Sequence, residues 1–182
     1  HPNVVRIHDM GEIDGIKYIT MPYVDGVELA SILKKNEGGL PVEQVVRVAR
    51  GVVSGLVAAH NAGVVHRDLK PANIMVEHGT DQAMIMDFGI ARSSAAGDPA
   101  EKPGAKLSQE ALASGLTMAG AIVGTLEYMA PEQFRGEAVD HRADIYAFGL
   151  ILYDLLTGRR RKGGGRTAFE EAARREKKAL PP

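Results

Sequence analysis

Apolar positions in this chain alternate in short runs near its start and then settle into helical periods. Residues 4–8 and 16–21, the second run carrying Ile16, Tyr18, Ile19 and Met21, predict two strands across a turn at Ile13-Asp14-Gly15. A short helix is expected from Glu28 to Lys35, stopped by the Gly38-Gly39 pair. The longest periodic stretch runs from Pro41 to about Asn61. Its apolar set Val45, Val46, Val48, Ala49, Val52, Val53, Leu56 and Val57 recurs at helical spacing, Pro41 suits the first helical position, and Gly63 ends the pattern. Gly51 and Gly55, four apart within it, predict close packing against a second apolar helix over 143–157, which Gly158 closes. Ile74–Val76 and Ala83–Met86 read as short strands around a turn at His78-Gly79-Thr80. Between Arg92 and Gly120 the residues Ala, Ser, Gly and Pro dominate, so a long surface loop is expected there. After Gly163-Gly164-Gly165, an amphipathic helix is expected from Thr167 to Lys178. Strands first, then helices around a pair of short strands, is an α+β layout weighted to helix.

Composition narrows this picture only slightly. A chain of 182 residues, 45% of them hydrophobic, can bury one core, so a single domain is expected. The formal net charge of −1 gives no general pull toward nucleic acid, and no nucleic-acid partner is expected. Charge is uneven: residues 159–182 hold nine Lys/Arg against three Asp/Glu, which leaves residues 1–158 at a net −7. Such a basic stretch predicts a solvated surface segment. With no cysteine the chain excludes disulfides and thiolate metal sites, which suits a cytoplasmic location. No apolar run approaches the length of a membrane span.

Candidate chemistry gathers after the long helix. His66-Arg67-Asp68-Leu69-Lys70-Pro71-Ala72-Asn73 is followed, fourteen residues after Asn73, by Asp87-Phe88-Gly89. Phosphoryl transfer requires a carboxylate to orient the attacking hydroxyl, oxygen ligands for Mg²⁺, and positive charge on the moving phosphate. Asp68 is the candidate for the first, Asn73 with Asp87 for the second, and Lys70 for the third. Asn beside Asp suits Mg²⁺, a hard ion that takes oxygen ligands and keeps several waters. The short strands on either side of the intervening turn should return Asp87 close to Asn73.

Two further blocks complete a pattern: Gly124-Thr125-Leu126-Glu127-Tyr128-Met129-Ala130-Pro131-Glu132, and a helix opening Asp144-Ile145-Tyr146-Ala147-Phe148-Gly149. With all four blocks in this order, the sequence resembles the eukaryotic-type protein kinases. Lys70, two residues past Asp68, is what the Ser/Thr kinases carry, and the wording around Tyr128–Gln133 is most similar to bacterial Ser/Thr kinases. The resemblance implies a protein kinase-like fold, mainly its helical C-terminal lobe with strands of the hinge region. Residues 1–24 correspond to the end of the N-terminal lobe and the hinge, and 25–158 to the C-lobe core with an activation segment over 87–132. Residues 159–182 correspond to a basic linker and a further helix. Most of the N-terminal lobe is then expected upstream of His1 and the last helices beyond Pro182, and the stretch alone is expected to be inactive.

The same resemblance implies roles and ligands. ATP and Mg²⁺ are the expected cofactors, and a protein carrying Ser or Thr is the expected substrate. Asp68 would be the catalytic base, Lys70 the γ-phosphate contact, Asn73 and Asp87 the metal ligands. Thr125 would sit where the substrate hydroxyl docks. Met21 matches the residue beside the adenine pocket; Pro22 and Val24 match the hinge, with the Pro22 carbonyl and Val24 N–H facing adenine. Glu28 would contact ribose, and Met75 would form the floor under the base. His66 and Asp144 are expected to be structural, Asp144 bonding the backbone of the 66–68 turn. Arg67 and Arg92 would receive a phosphate on Thr117, with Ser114 behind it as a second autophosphorylation candidate. Two other readings compete: a pseudokinase that keeps the fold as a scaffold, and a small-molecule phosphotransferase.

Overall fold

The computed structural model describes residues 1–88 and 127–158. These form two compact units, the first holding residues 1–64, 71–88 and 152–158 and the second residues 65–70 and 127–151.

The first unit opens on a β-hairpin. Strand β1 (Asp9–Ile13) pairs antiparallel with β2 (Ile16–Thr20), with Ile13 opposite Ile16. Asp14 and Gly15, at φ 52° and 78°, form the two-residue turn, and a turn with both residues left-handed suits the twist of its flanking strands. That turn fixes the register and puts the first strand at Asp9–Ile13 rather than at the expected 4–8. Val4 instead makes a parallel bridge to Ile85, the Val5 N–H donates to the Ile85 carbonyl, and the Ile85 N–H donates to Asn3.

A three-stranded sheet follows, built from β3 (Gly26–Glu28), β4 (Ile74–Glu77) and β5 (Ala83–Ile85) in that order, all antiparallel. Strand β3 was not anticipated. Only its pairing with β4, far away in sequence, makes Gly-Val-Glu a strand. Helix α1 (Leu29–Lys35) starts at once after β3 and buries Leu29 and Leu33, while Lys34 and Lys35 complement the dipole at its last turn.

The long helix α2 (Val42–Asn61) matches its expectation within a residue, with Pro41 at the cap rather than at the first helical position. Val45, Val48, Val52, Gly55 and Leu56 are its buried face. The expected packing of Gly51 and Gly55 against the 143–157 helix is not what occurs. A Cβ at Gly55 would lie 2.7 Å from the Asn3 carbonyl oxygen and 3.0 Å from Ile85 Cδ1, and one at Gly51 would lie 3.1 Å from Ala83 Cβ. The two glycines therefore admit β5 and the Asn3–Val4 backbone. The buried Asn3 side chain fastens this junction by donating to the Ala83 carbonyl at 2.8 Å. Opposite, an Arg47–Asp81 ion pair at 2.8 Å links α2 to the β4–β5 turn, but with Arg47 53% exposed it adds little stability.

In the second unit, α3 (Pro131–Phe134) is a single turn after the buried residues Tyr128, Met129 and Ala130. Helix α4 (Arg142–Thr157) begins in this unit and ends in the first; Gly158 stops it at φ 66°. Arg142 hydrogen-bonds Asp140 through its side chain and backbone N–H, which holds that exposed carboxyl below its ordinary range. The loop expected over 92–120 and the helix expected from Thr167 to Lys178 lie outside the described residues.

Candidate active site

The site is built on a turn whose backbone is held by side chains. Arg67 sits in the left-handed region at φ 65°, a conformation costing a non-glycine residue about 1–2 kcal/mol. What holds it there is Asp144, in the first turn of α4 and 1% exposed. Its Oδ2 accepts from the His66 N–H at 2.8 Å and its Oδ1 from the Arg67 N–H at 2.9 Å. Hydrogen bonds to a charged acceptor contribute about 1.5–3 kcal/mol each, so the pair outweighs the strain. Asp144 thus takes the structural role expected of it.

His66 is fully buried, and its Nδ1 accepts from the Asp68 N–H at 3.2 Å, which supports the expected structural rather than catalytic role. On the far side of the turn, the Arg67 carbonyl accepts from Gln133 Nε2 at 2.7 Å. The backbone from His66 to Asp68 is thereby pinned by three side chains.

Asp68, once fixed, projects toward Lys70. Lys70 Nζ donates to Asp68 Oδ2 at 2.8 Å, with side-chain exposures of 21% and 36%. A half-exposed carboxylate oriented by an ammonium group can receive a proton from an incoming hydroxyl. The same ammonium can meet a phosphate oxygen.

The metal-ligand candidates lie in the first unit. Pro71–Asn73 forms one 3₁₀ turn leading into β4, and Asn73 is buried. Ile74 pairs with Ile85, and the ladder is extended by the Met86 N–H donating to the Asn73 carbonyl at 2.9 Å. Asp87 follows directly, exposed and left-handed at φ 55°, a conformation Asp tolerates better than most residues. Strand pairing, fourteen residues across, therefore brings Asn73 and Asp87 to one end of a ladder.

Glu28 and Met75 stand directly opposite each other in the β3–β4 register and so share a face of the sheet, with Met84 opposite Met75 on the next strand. Met21, Pro22 and Val24 lie in the segment between β2 and β3, where Met21 and Pro22 are exposed and Val24 is half-buried. Thr125, Thr117, Ser114 and Arg92 lie outside the described residues. Gln133 is the participant that sequence reasoning missed. A Gln three residues after a helix cap is a known signal, but the Ser or Thr that should begin it is Ala130 here.

Comparison with known proteins agrees with these blocks. The protein kinase domain model matches residues 1–178. Over 162 residues the chain is 45% identical to serine/threonine-protein kinase pkn3 of Myxococcus xanthus, covering 87% of this chain and 27% of that protein. It is 37% identical to PknB of Mycobacterium leprae, covering 87% of this chain and 23% of that protein. The chain spans about a quarter of the length of these curated relatives. Among solved structures, the PknI kinase domain of Mycobacterium tuberculosis superposes with a TM-score of 0.61 at 32% identity, covering 87% of this chain and 51% of that one. Fold and sequence agree, and the chain belongs to the protein kinase domain family.

Proposed function

We propose that the protein carrying this chain transfers the γ-phosphate of ATP to Ser and Thr hydroxyls of proteins. The observation that carries this reading is the 2.8 Å pairing of Asp68 with Lys70 on a turn clamped by Asp144. Asp68 takes the hydroxyl proton, and Lys70 meets the γ-phosphate as charge develops on it. Met21, Pro22 and Val24 bind adenine, Met75 lies under it, Glu28 holds the ribose, and Thr125 positions the acceptor hydroxyl. The kinase relatives support ATP and Mg²⁺ as the ligands, and the near-neutral net charge supports a protein rather than a nucleic-acid partner. A cytoplasmic location is in keeping with the absence of cysteine, and among the described residues no helix is long and apolar enough to cross a membrane.

Asn73 and Asp87 fit Mg²⁺ in their donor chemistry. Among the described residues no three His, Cys, Asp or Glu gather as a metal cage. One amide oxygen and one carboxylate suit an ion held jointly with phosphates. Bound there, Mg²⁺ would neutralise phosphate charge. Asp87→Asn exchanges the charged donor for a neutral one and is expected to weaken Mg²⁺-dependent ATP binding by about tenfold or more, a loss of about 1.4 kcal/mol. Titrating ATP with and without Mg²⁺ on the full-length protein checks it; equal Mg²⁺ dependence in variant and wild type rejects the assignment.

The function itself is tested by incubating the full-length protein with labelled ATP, Mg²⁺ and casein, then analysing phosphoamino acids. Phosphoserine or phosphothreonine is expected, and no transfer at all rejects the reading. The same reaction tests Thr117: phosphate is expected in the peptide spanning Ser114 and Thr117, and Thr117→Ala should lower activity. Phosphates mapped only elsewhere would remove the proposed site.

A further inference from the structure

We propose that Gln133 is a positioning residue of this transfer site, tying the segment ahead of α3 to the turn that presents Asp68. The inference rests on the kinase reading for its chemistry, but the contact it names stands on geometry alone. Around Arg67 the two peptide groups are held by different side chains. Asp144 takes the N–H groups of His66 and Arg67, and Gln133 Nε2 donates to the Arg67 carbonyl at 2.7 Å. That carbonyl belongs to the peptide leading straight into Asp68. A left-handed residue that is not glycine persists only where its surroundings over-determine it, and on the Asp68 side Gln133 supplies one such constraint beside the bond from the Asp68 N–H to His66 Nδ1.

The other end of the Gln133 amide is also engaged, since its Oε1 accepts from the Ala130 N–H at 3.0 Å. Its orientation is thus dictated by its partners. A flipped amide would face N–H with NH₂ and carbonyl with oxygen, losing both bonds. Ala130 is fully buried at the start of α3, after the buried Tyr128 and Met129. Gln133 therefore spans from a fixed point to the carbonyl beside Asp68. Only a side chain with a donor and an acceptor at this length does both. Glu keeps the acceptor for Ala130 but sets an oxygen against the Arg67 carbonyl. Met keeps the length and offers neither.

A positioning role predicts loss in the chemical step with nucleotide binding spared. In the full-length protein with Mg²⁺-ATP and casein, Gln133→Glu and Gln133→Met are each expected to lower kcat about tenfold, with the KM for ATP within twofold of wild type. Amide hydrogen exchange across residues 65–70 reads the contact without relying on turnover, and at least a fivefold rise is expected in both variants. Unchanged exchange overturns the proposal even if the protein proves to be no kinase. In an active wild type, kcat within twofold for both variants overturns it, as does a fall in kcat matched by a rise in the KM for ATP. Loss of Ser/Thr transfer in the wild type itself counts against the kinase reading instead, which leaves the two failures distinguishable.

Discussion

Asp68→Asn is expected to lower turnover of the full-length protein about 10²–10⁴-fold, the usual contribution of a positioned general base. Asn has the size of Asp, and its amide oxygen can still accept from Lys70, which now sits 2.8 Å from Asp68 Oδ2. The backbone of the turn is held through the Asp68 N–H, which donates to His66 Nδ1, and that bond does not involve the replaced carboxylate. What disappears is the capacity to take a proton from the attacking hydroxyl. The KM for ATP should therefore change by no more than a few-fold while kcat collapses. Steady-state rates on casein, with ATP varied at fixed Mg²⁺, separate the two. Turnover within a few-fold of wild type would show that Asp68 is not the base.

The parts of this fold that sequence conveyed are those governed by local physics. Helix α2 was readable because its buried residues Val45, Val48, Val52 and Leu56 repeat at helical spacing between a proline and a left-handed glycine. The hairpin turn at Asp14-Gly15 was readable for a similar reason. Its first strand was not, because DMGEI carries no clear alternation; Met10 and Ile13 are 65% and 62% exposed. The more apolar Val4 and Val5 drew the expectation to themselves, whereas they pair with β5. Strand β3 and the partners of Gly51 and Gly55 share one cause: each depends on a segment distant in sequence, and no local pattern names that segment.

The site divides along the same line. Asp68 and Lys70 are two residues apart in one motif, and the structure pairs them at 2.8 Å. The approach of Asn73 and Asp87 was legible because a turn between short strands has few geometries. Asp144 came only through the resemblance, since a lone Asp opening an apolar helix reads as an ordinary first-turn charge. The bond from Gln133 to Arg67 left no signal, since its acceptor is a backbone carbonyl 66 residues away, and a backbone carbonyl has no residue type.

Asp144→Ala carries the largest expected effect on stability, and it should reach catalysis through the backbone. The substitution strips two N–H groups of their acceptor at 2.8 and 2.9 Å. The His66 bond is buried, so its donor finds no ready replacement, whereas the part-buried Arg67 N–H can recover water. An unsatisfied buried donor costs about 1–3 kcal/mol and a partly exposed one less, which puts the total at about 2–4 kcal/mol. Asp144→Asn should recover little of this, because one amide oxygen serves one N–H while the NH₂ faces the other. Catalysis should suffer beyond the folding loss. Removing Asp144 takes away the two bonds that offset the strain of Arg67 at φ 65° on its N-terminal side, and relaxation of that residue swings Asp68 away from its position. A displacement of about 1 Å at a reacting group can cost about 10²-fold in rate. Urea unfolding of the full-length protein measures the first effect, and turnover at a temperature where the variant is still folded measures the second. Asp140→Ala is the control, since that carboxylate is exposed and, among the described residues, bonds Arg142 alone, and it should leave both unchanged. An Asp144→Ala protein as stable and as active as that control would mean that the Asp144 bonds do not hold the catalytic turn.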